Sequence, residues 1–201
     1  MALILAKVQE KIGLMGNFEV MDKTSPYRPY YTYADYKEWD EPWELINGFA
    51  YALKPGPDIL HQLTASKLTH LLMGALESIN CNDFTLIGRF DWKVSDDTVV
   101  RPDRMIMPWP ISNDAYLDCP PALVVEIVTK WTNQKDRNEK FDIYQEQKVP
   151  YYLVVDARQK TIEVFQINNG VYELVTVNPE RHQFNIGRYE IEVDFSELFE
   201  E

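Results

Sequence analysis

Two carboxylates stand inside apolar runs that otherwise look like buried β-strands. Asp103 interrupts "VVRPDRMIMP" (residues 99–108), and Glu126 interrupts "LVVEIVT" (residues 123–129). An uncompensated carboxylate in a protein core is costly even after the surroundings relax. A divalent cation with oxygen ligands would compensate both charges at once. The sequence therefore predicts a metal site between two neighbouring strands.

A lysine follows on the next predicted helix. Asp136, Lys140 and Tyr144 have i, i+4, i+8 spacing, which places them on one helical face. A lysine directed from that face towards the two carboxylates would offset their charge, and it could polarise a phosphate or hold a nucleophilic water. Two earlier residues are further candidates for this site. Glu44 is a third acid on a strand-like run, and His61 lies in the first turn of a predicted helix.

Turn and cap signals define the elements that would position the first of these residues. Thr32 and Asp35 form a capping pair for one short helix. Asn47-Gly48 lies between two apolar runs and predicts a two-residue hairpin turn. Asp58 follows Pro-Gly-Pro and predicts the start of a long amphipathic helix, whose leucines recur at helical spacing.

The rest of the chain is rich in predicted strands. Thr132 or Asn133 is the predicted cap of a second helix, and the strands are predicted over "FTLIGRFDWKV", "VVRPDRMIM", "ALVVEIVT", "YYLVVD", "TIEVFQI", "VYELVTV" and "YEIEVDF". This order of elements predicts an α/β fold, a mixed α+β sheet with helices on both sides. We expect residues 1–28 to form a peripheral arm and residues 29–201 to form a single domain.

The composition limits the partners of the protein. The chain of 201 residues has 32 acidic and 20 basic residues and a net charge of -12, so a polyanion is repelled on average and must meet a local basic face or bound cations. Cys81 and Cys119 have no metal-ligand spacing and are expected to be free thiols of a reducing compartment. With no long apolar run and no basic n-region, we expect a cytoplasmic protein without a membrane partner.

The candidate residues occur in an order that resembles a known family. Asp103 within "RPD", Glu126 within "VVEIVT" and the block "DRNEKFDIYQEQKVPYYLVVD" are similar to the Uma-type putative restriction endonuclease family of the PD-(D/E)XK nuclease-like superfamily. The stretch "YTYADYKEW", followed by "WELINGFAYALKPGPDILHQLTASKL", fits the N-terminal half of that family. The resemblance covers roughly residues 30–176 and implies a restriction-endonuclease-like core.

The resemblance also implies roles for individual residues. Asp103 and Glu126 would bind Mg²⁺ (or Mn²⁺), with the backbone carbonyl of Ile127 as a further ligand, in a DNA endonuclease. Glu44 corresponds to an additional N-terminal acid that approaches the metal directly or through water. The superfamily's usual lysine position is occupied here by Val128.

Two lysines could replace the missing one. Lys140 on the following helix is the expected substitute, and Lys130 is a second candidate. A homodimer is expected from the superfamily alone. The loop "TKW" at residues 129–131 differs from the Ser-Pro-Ser usual in the family, so a catalytically inactive binding or assembly module is the alternative function.

Each candidate also has a purely structural explanation. Asp103 could face water or pair with Arg101 or Arg104, and Glu126 could belong to a structural ion pair. Lys140 could be one half of an exposed i, i+4 pair. His61 could simply pack in its helix, and Glu44 could make a turn contact.

Overall fold

The computed structural model describes residues 29–53, 58–128 and 136–200, without the side chains of Asp136 and Arg137. The predicted arm at residues 1–28, the predicted caps Thr132 and Asn133, and the candidate Lys130 lie outside the described residues. The residues from Tyr31 onwards form one compact unit. None of the helices in the described ranges is long and apolar enough to cross a membrane.

Cap and turn chemistry determines the start of the domain. Helix α1 (Tyr33–Tyr36) begins after Thr32, whose capping pair with Asp35 is present as predicted. Strands β1 (Trp43–Ile46) and β2 (Phe49–Ala52) form the predicted antiparallel hairpin. Asn47 and Gly48 both have positive φ angles, 50° and 78°, as a two-residue turn of the mirror-image type requires.

The long helix begins where the sequence predicts. Helix α2 (Ile59–Ser78) has Asp58 as its N-cap, and the Asp58 carboxylate accepts a hydrogen bond from the backbone N–H of His61 at 2.9 Å. Its buried face carries Ala65, Leu68 and Leu72 into the main core. Leu60 and Leu63, which the periodicity assigns to the apolar face, are exposed instead.

The strands of the described residues form three sheets. Four strands have the order β2-β1-β5-β4, six have the order β10-β9-β8-β7-β6-β3, and two form a separate β11-β12 hairpin. The bounds are β3 (Phe84–Gly88), β4 (Trp92–Ser95), β5 (Thr98–Val100), β6 (Arg104–Pro108), β7 (Leu123–Val128), β8 (Tyr151–Asp156), β9 (Thr161–Asn168), β10 (Val171–Val177), β11 (Arg181–Ile186) and β12 (Tyr189–Asp194). In the six-stranded sheet β7 and β8 are parallel and the other pairs are antiparallel, so the sheet is mixed as predicted.

The central strand β7 shows why Glu126 faces the candidate site. Alternate residues of a strand point to opposite faces. Leu123, Val125 and Ile127 pack in the core that contains α2. Val124 and Val128 pack on the other face, against the second helical segment, residues 136–146. Glu126 is an even number of residues from both and therefore faces the same helical segment.

The second helical segment is not a regular α-helix from its start. Asp136–Lys140 is π-helical, and α3 (Phe141–Glu146) continues from it. The spacing that predicted a shared face for Asp136 and Lys140 assumes α-helical geometry and does not apply to the π turn. Lys140 ends the π turn and is the N-cap of α3, with right-handed helical angles (φ -71°, ψ -36°), so the i, i+4 relation to Tyr144 holds.

The sequence predictions are wrong about strands in three places. The run "FTLIGRFDWKV" is not one strand, because β3 ends at Gly88 in one sheet and β4 begins at Trp92 in another. The run "VVRPDRMIM" is not one interrupted strand, because β5 ends at Val100 in one sheet and β6 begins at Arg104 in the other. Asp103 consequently lies in the connection just before β6. The strand β11 was not predicted, because only Phe184 and Ile186 of its six residues are buried and apolar.

Candidate active site

The strand break at residues 101–103 explains why an acid follows Pro102. In the antiparallel β6–β7 register Arg104 lies opposite Val125. If the pairing continued by two residues, Pro102 would lie opposite Ile127. The chain has already turned away there, and the Asp103 carboxylate takes the place of the missing backbone partner. Its Oδ2 accepts a hydrogen bond from the Ile127 N–H at 2.9 Å. This contact fixes Asp103 beside the residue that follows Glu126.

Asp103 is further held by two basic side chains. It is 5 % exposed, and its Oδ2 lies 3.1 Å from Nε2 of the buried His61. A carboxylate only accepts hydrogen bonds, so Nε2 of His61 is the donor. Nε of Arg89 lies 3.6 Å from Oδ1 of Asp103. Asp103 therefore neither faces water nor pairs through its carboxylate with Arg101 or Arg104, and its purely structural explanation is wrong in that form.

These contacts determine the ionisation of Asp103. Burial raises the pKa of its carboxyl group, but the His61 hydrogen bond and charge, the Ile127 N–H and the charge of Lys140 lower it more strongly. The net effect is a pKa below the usual 3.8. Asp103 is thus an anion at neutral pH, as a metal-binding carboxylate has to be.

The amine of Lys140 joins two further acids. Nζ of Lys140 lies 2.8 Å from Oε1 of Glu126 and 2.8 Å from Oε1 of Glu44. All three side chains are buried, with 2 % of Lys140 exposed. The prediction that an exposed i, i+4 pair accounts for Lys140 is therefore wrong. Glu44 comes from β1, in the four-stranded sheet, and also accepts the Arg101 N–H at 2.9 Å.

Tyr144 completes the environment of Glu126. Its hydroxyl donates to Oε1 of Glu126 at 2.6 Å, and its ring packs between Trp92 and Tyr152. Burial and the negative charge of Glu126 raise the pKa of Tyr144 well above 10.0, so the phenol stays protonated and remains a donor. Tyr144 therefore both packs in the core and contacts the candidate site.

The structure thus brings together most of the predicted residues. Glu44, Glu126, Lys140 and Tyr144 form one cluster, and His61, Asp103 and the backbone of Ile127 form a second one beside it. Sequence reasoning missed Arg89 and the Arg101 N–H, and neither has a local signal. Arg89 is simply an arginine between two strands, and a backbone donor has no sequence pattern.

The site has oxygen donors of the type that Mg²⁺ or Mn²⁺ prefers. Within residues 29–53, 58–128 and 136–200, no group of three or more His, Cys, Asp or Glu side chains is arranged to hold a metal ion. Mg²⁺, however, is usually bound by one or two carboxylates and keeps several waters. Asp103 and Glu126, with the Ile127 carbonyl, fit that kind of donor set.

The comparisons with known proteins define the class of fold. The crystal structure of "a putative nuclease belonging to DUF820" from Anabaena variabilis superposes with a TM-score of 0.64. The match covers 84% of this chain and 97% of that one, at 14% sequence identity. The fold is therefore shared with that protein. No curated protein matches this chain.

The family follows from the sequence model that matches the chain. The model described as "Uma2: Putative restriction endonuclease" matches residues 30–189. This range is well over half of the chain, so the protein belongs to the Uma2 family. The resemblance inferred from the order of Glu44, His61, Asp103, Glu126 and Lys140 is confirmed.

Proposed function

We propose that the protein is a metal-dependent endonuclease that hydrolyses phosphodiester bonds in DNA. The observation that carries the proposal is the convergence of Glu44 and Glu126 on the amine of Lys140, with Asp103 anchored to the N–H of Ile127. Membership of the Uma2 family and the nuclease-like fold shared with the Anabaena protein support a nuclease-like function.

Asp103, Glu126 and the carbonyl of Ile127 would hold the cation, Mg²⁺ or Mn²⁺. When bound, such a cation lowers the pKa of a coordinated water and neutralises charge that develops on the scissile phosphate. Glu44 would approach it directly or through a water. The remaining side chains orient these ligands: His61 holds Asp103, and Tyr144 holds Glu126.

Lys140 has the role of the superfamily's lysine in this proposal. Its position on a neighbouring helix, rather than two residues after Glu126, does not prevent its amine from lying 2.8 Å from that carboxylate. A positive charge fixed there, in a buried site, stabilises negative charge on a reacting phosphate more strongly than it would in water.

Nicking of supercoiled plasmid in Mg²⁺ or Mn²⁺ tests the proposal. We expect the wild type to nick the plasmid and Glu126→Gln to lose at least about 100-fold in rate, because a metal ligand and an electrostatic partner of Lys140 are both weakened. Glu190→Gln, an exposed glutamate that is also on a strand, is the matched control and should keep wild-type activity.

Calorimetry with Mn²⁺ tests the metal site without relying on turnover. The wild type and Glu190→Gln should bind the ion, and Asp103→Ala should not. Equal binding by Asp103→Ala would place the ion elsewhere and remove the proposed site.

A non-catalytic binding or assembly module is the second candidate. One observation favours it: the amine of Lys140 bridges Glu44 and Glu126, so a protein group already compensates part of their charge. Absence of cleavage of DNA and RNA by a protein that does bind Mn²⁺ would support this alternative. The expected homodimer is also a proposal, and light scattering of the purified protein measures it.

A further inference from the structure

We propose that Arg89 binds a phosphate of the DNA strand next to the scissile bond. This inference rests on the proposed function, because it assigns the nucleic-acid contact of the same site. An acidic protein of net charge -12 requires a local cation to hold a polyanion. Arg89 is the arginine whose position and unused donors suit that contact.

The backbone places Arg89 at the edge of the carboxylate cluster. It follows Gly88, the last residue of β3, and its N–H donates to the carbonyl of Asp103 at 3.3 Å. Its φ angle is 21°, in the region that favours glycine. A non-glycine residue in such a conformation is strained, and such strain concentrates at ligand sites. The loop thus has an arginine at a position where glycine would adopt the backbone conformation with less strain.

The other cationic side chains around Asp103 already have partners. Arg104 donates to the hydroxyl of Thr69 and to the carbonyls of Ala65 and Asp103. Arg101 pairs with Asp91 at 2.6 Å. These guanidinium groups have structural roles in the described part of the chain.

Arg89 differs from them in exposure and in hydrogen bonding. Its side chain is 35% exposed, and its ion pair with Asp103 is 3.6 Å long, beyond hydrogen-bond distance. Among the described residues its guanidinium makes no hydrogen bond. Several N–H donors of a guanidinium are therefore available beside a proposed metal ligand, in the fork geometry that matches a phosphate.

DNA binding without turnover tests the proposal. Fluorescence anisotropy of a labelled duplex, in EDTA and in Ca²⁺, gives the Kd at salt concentrations from about 50 to about 200 mM. We expect Arg89→Ala to weaken binding roughly tenfold and to reduce the slope of log K against log salt by about 0.9, the loss of one phosphate contact. Arg188→Ala, an exposed arginine paired with Asp83, is the matched control and should leave both quantities unchanged.

Two further variants separate phosphate binding from folding. Arg89→Gly removes the guanidinium but accepts the positive φ without strain, so it should melt at the wild-type temperature or above and bind DNA as weakly as Arg89→Ala. Arg89→Lys keeps a charge without the fork and should recover part of the affinity. Mn²⁺ should bind Arg89→Ala and Arg89→Gly at least as tightly as the wild type, because these changes remove a positive charge near Asp103.

Several results would overturn the assignment. Arg89→Gly that bound DNA with wild-type affinity would overturn it. Loss of Mn²⁺ binding in Arg89→Gly would also overturn it, because Arg89 would then act by positioning Asp103. A wild type that binds no DNA under any condition would also overturn the assignment.

Cleavage that persists in the Arg89 variants, with unchanged Kd, removes this inference and leaves the proposed nuclease intact. DNA binding that depends on Arg89 without any cleavage supports the phosphate contact and removes the proposed catalysis.

Discussion

At the scale of single residues, the main feature is how a buried group of acids is compensated. Glu44 and Glu126 are held by one amine, that of Lys140, at two equal distances of 2.8 Å. Asp103 is compensated separately, by His61 and a backbone N–H. Protein groups therefore offset part of the free-energy cost of burying these carboxylates, the cost from which the sequence predicted a cation. A metal ion would bind carboxylates that these contacts already orient.

Removal of Lys140 leaves two buried carboxylates without their shared partner. We expect Lys140→Met to lower the free energy of unfolding by about 3 to 5 kcal/mol, the range for breaking a buried ion pair. Combining it with Glu126→Gln should cost less than the sum of the two single changes, because the second change removes one of the uncompensated charges. Urea unfolding of the four proteins measures this cycle.

Lys148→Met is the control for that cycle, since Lys148 is exposed and close in sequence. It should change the free energy of unfolding by no more than about 0.5 kcal/mol. Strict additivity of Lys140→Met and Glu126→Gln would contradict the shared contact.

At the scale of elements, the site depends on two irregularities. The chain leaves β5 at Val100 and enters β6 at Arg104, so residues 101–103 supply one backbone N–H to Glu44 and one carboxylate to Ile127. The π turn at Asp136–Lys140 precedes α3 and sets the orientation of the lysine. Such turns are often found at functional sites. Neither irregularity has a reliable sequence signature.

The start of α2, which carries His61, depends on the Asp58 cap. Asp58→Ala should lower the free energy of unfolding by about 1 kcal/mol at neutral pH, and Asp58→Asn, which keeps a capping oxygen, should cost little. Urea unfolding of the three proteins measures both effects. Equal stability of Asp58→Ala and the wild type would mean that the cap contributes nothing.

The same cap predicts a dependence on pH. The hydrogen bond from the His61 N–H, followed by that from Arg158, lowers the pKa of Asp58 below 3.8. A carboxyl group with a depressed folded pKa stabilises the protein above its unfolded pKa and loses that contribution as the pH falls through the folded value. Any stability advantage of the wild type over Asp58→Asn should therefore begin to decrease below about pH 4 and be lost as the pH falls through the folded pKa, as unfolding at a series of pH values would show. An advantage that did not decrease at all between about pH 6 and about pH 3 would exclude the charge of Asp58 as its source.

At the scale of the whole molecule, the candidate site lies where two sheets meet. Glu44 comes from the four-stranded sheet and Glu126 from the six-stranded sheet, while Lys140 reaches both from the helical segment. His61 contributes from α2, which covers the opposite face of the six-stranded sheet. Two of the sheets and two helical segments thus contribute side chains to the candidate site.

A ligand that binds only the folded domain raises its melting temperature. If Mn²⁺ binds as proposed, a concentration of 100 times Kd adds about 2.7 kcal/mol, which corresponds to a rise of several degrees for a domain of about 150 to 250 residues. A melting curve with and without Mn²⁺ measures this rise. Asp103→Asn, which keeps an acceptor for the Ile127 N–H, should lose most of it, and Glu190→Gln should retain it. An equal rise in Asp103→Asn would exclude Asp103 as a ligand.

The sequence by itself determined the local elements and the identity of the charged groups. The Thr32 and Asp58 caps, the Asn47-Gly48 turn and the uninterrupted apolar run of β8 are all local signals, because hydrogen bonds and side-chain periodicity within a few residues produce them. The order of acids, histidine and lysine along the chain was also sufficient to indicate the Uma2 family. None of these observations depends on long-range contacts.

Only the tertiary structure decided which groups compensate one another. Glu44 is far from Glu126 and Lys140 in the chain, so the distances among them follow from sheet order, from the strand break before Asp103 and from the π turn. Arg89 reaches Asp103 because β3 pairs with β6, a pairing that no local pattern specifies. The interaction energy between charged groups in a core depends on the distances between them. A sequence pattern shows which charges are present but not those distances.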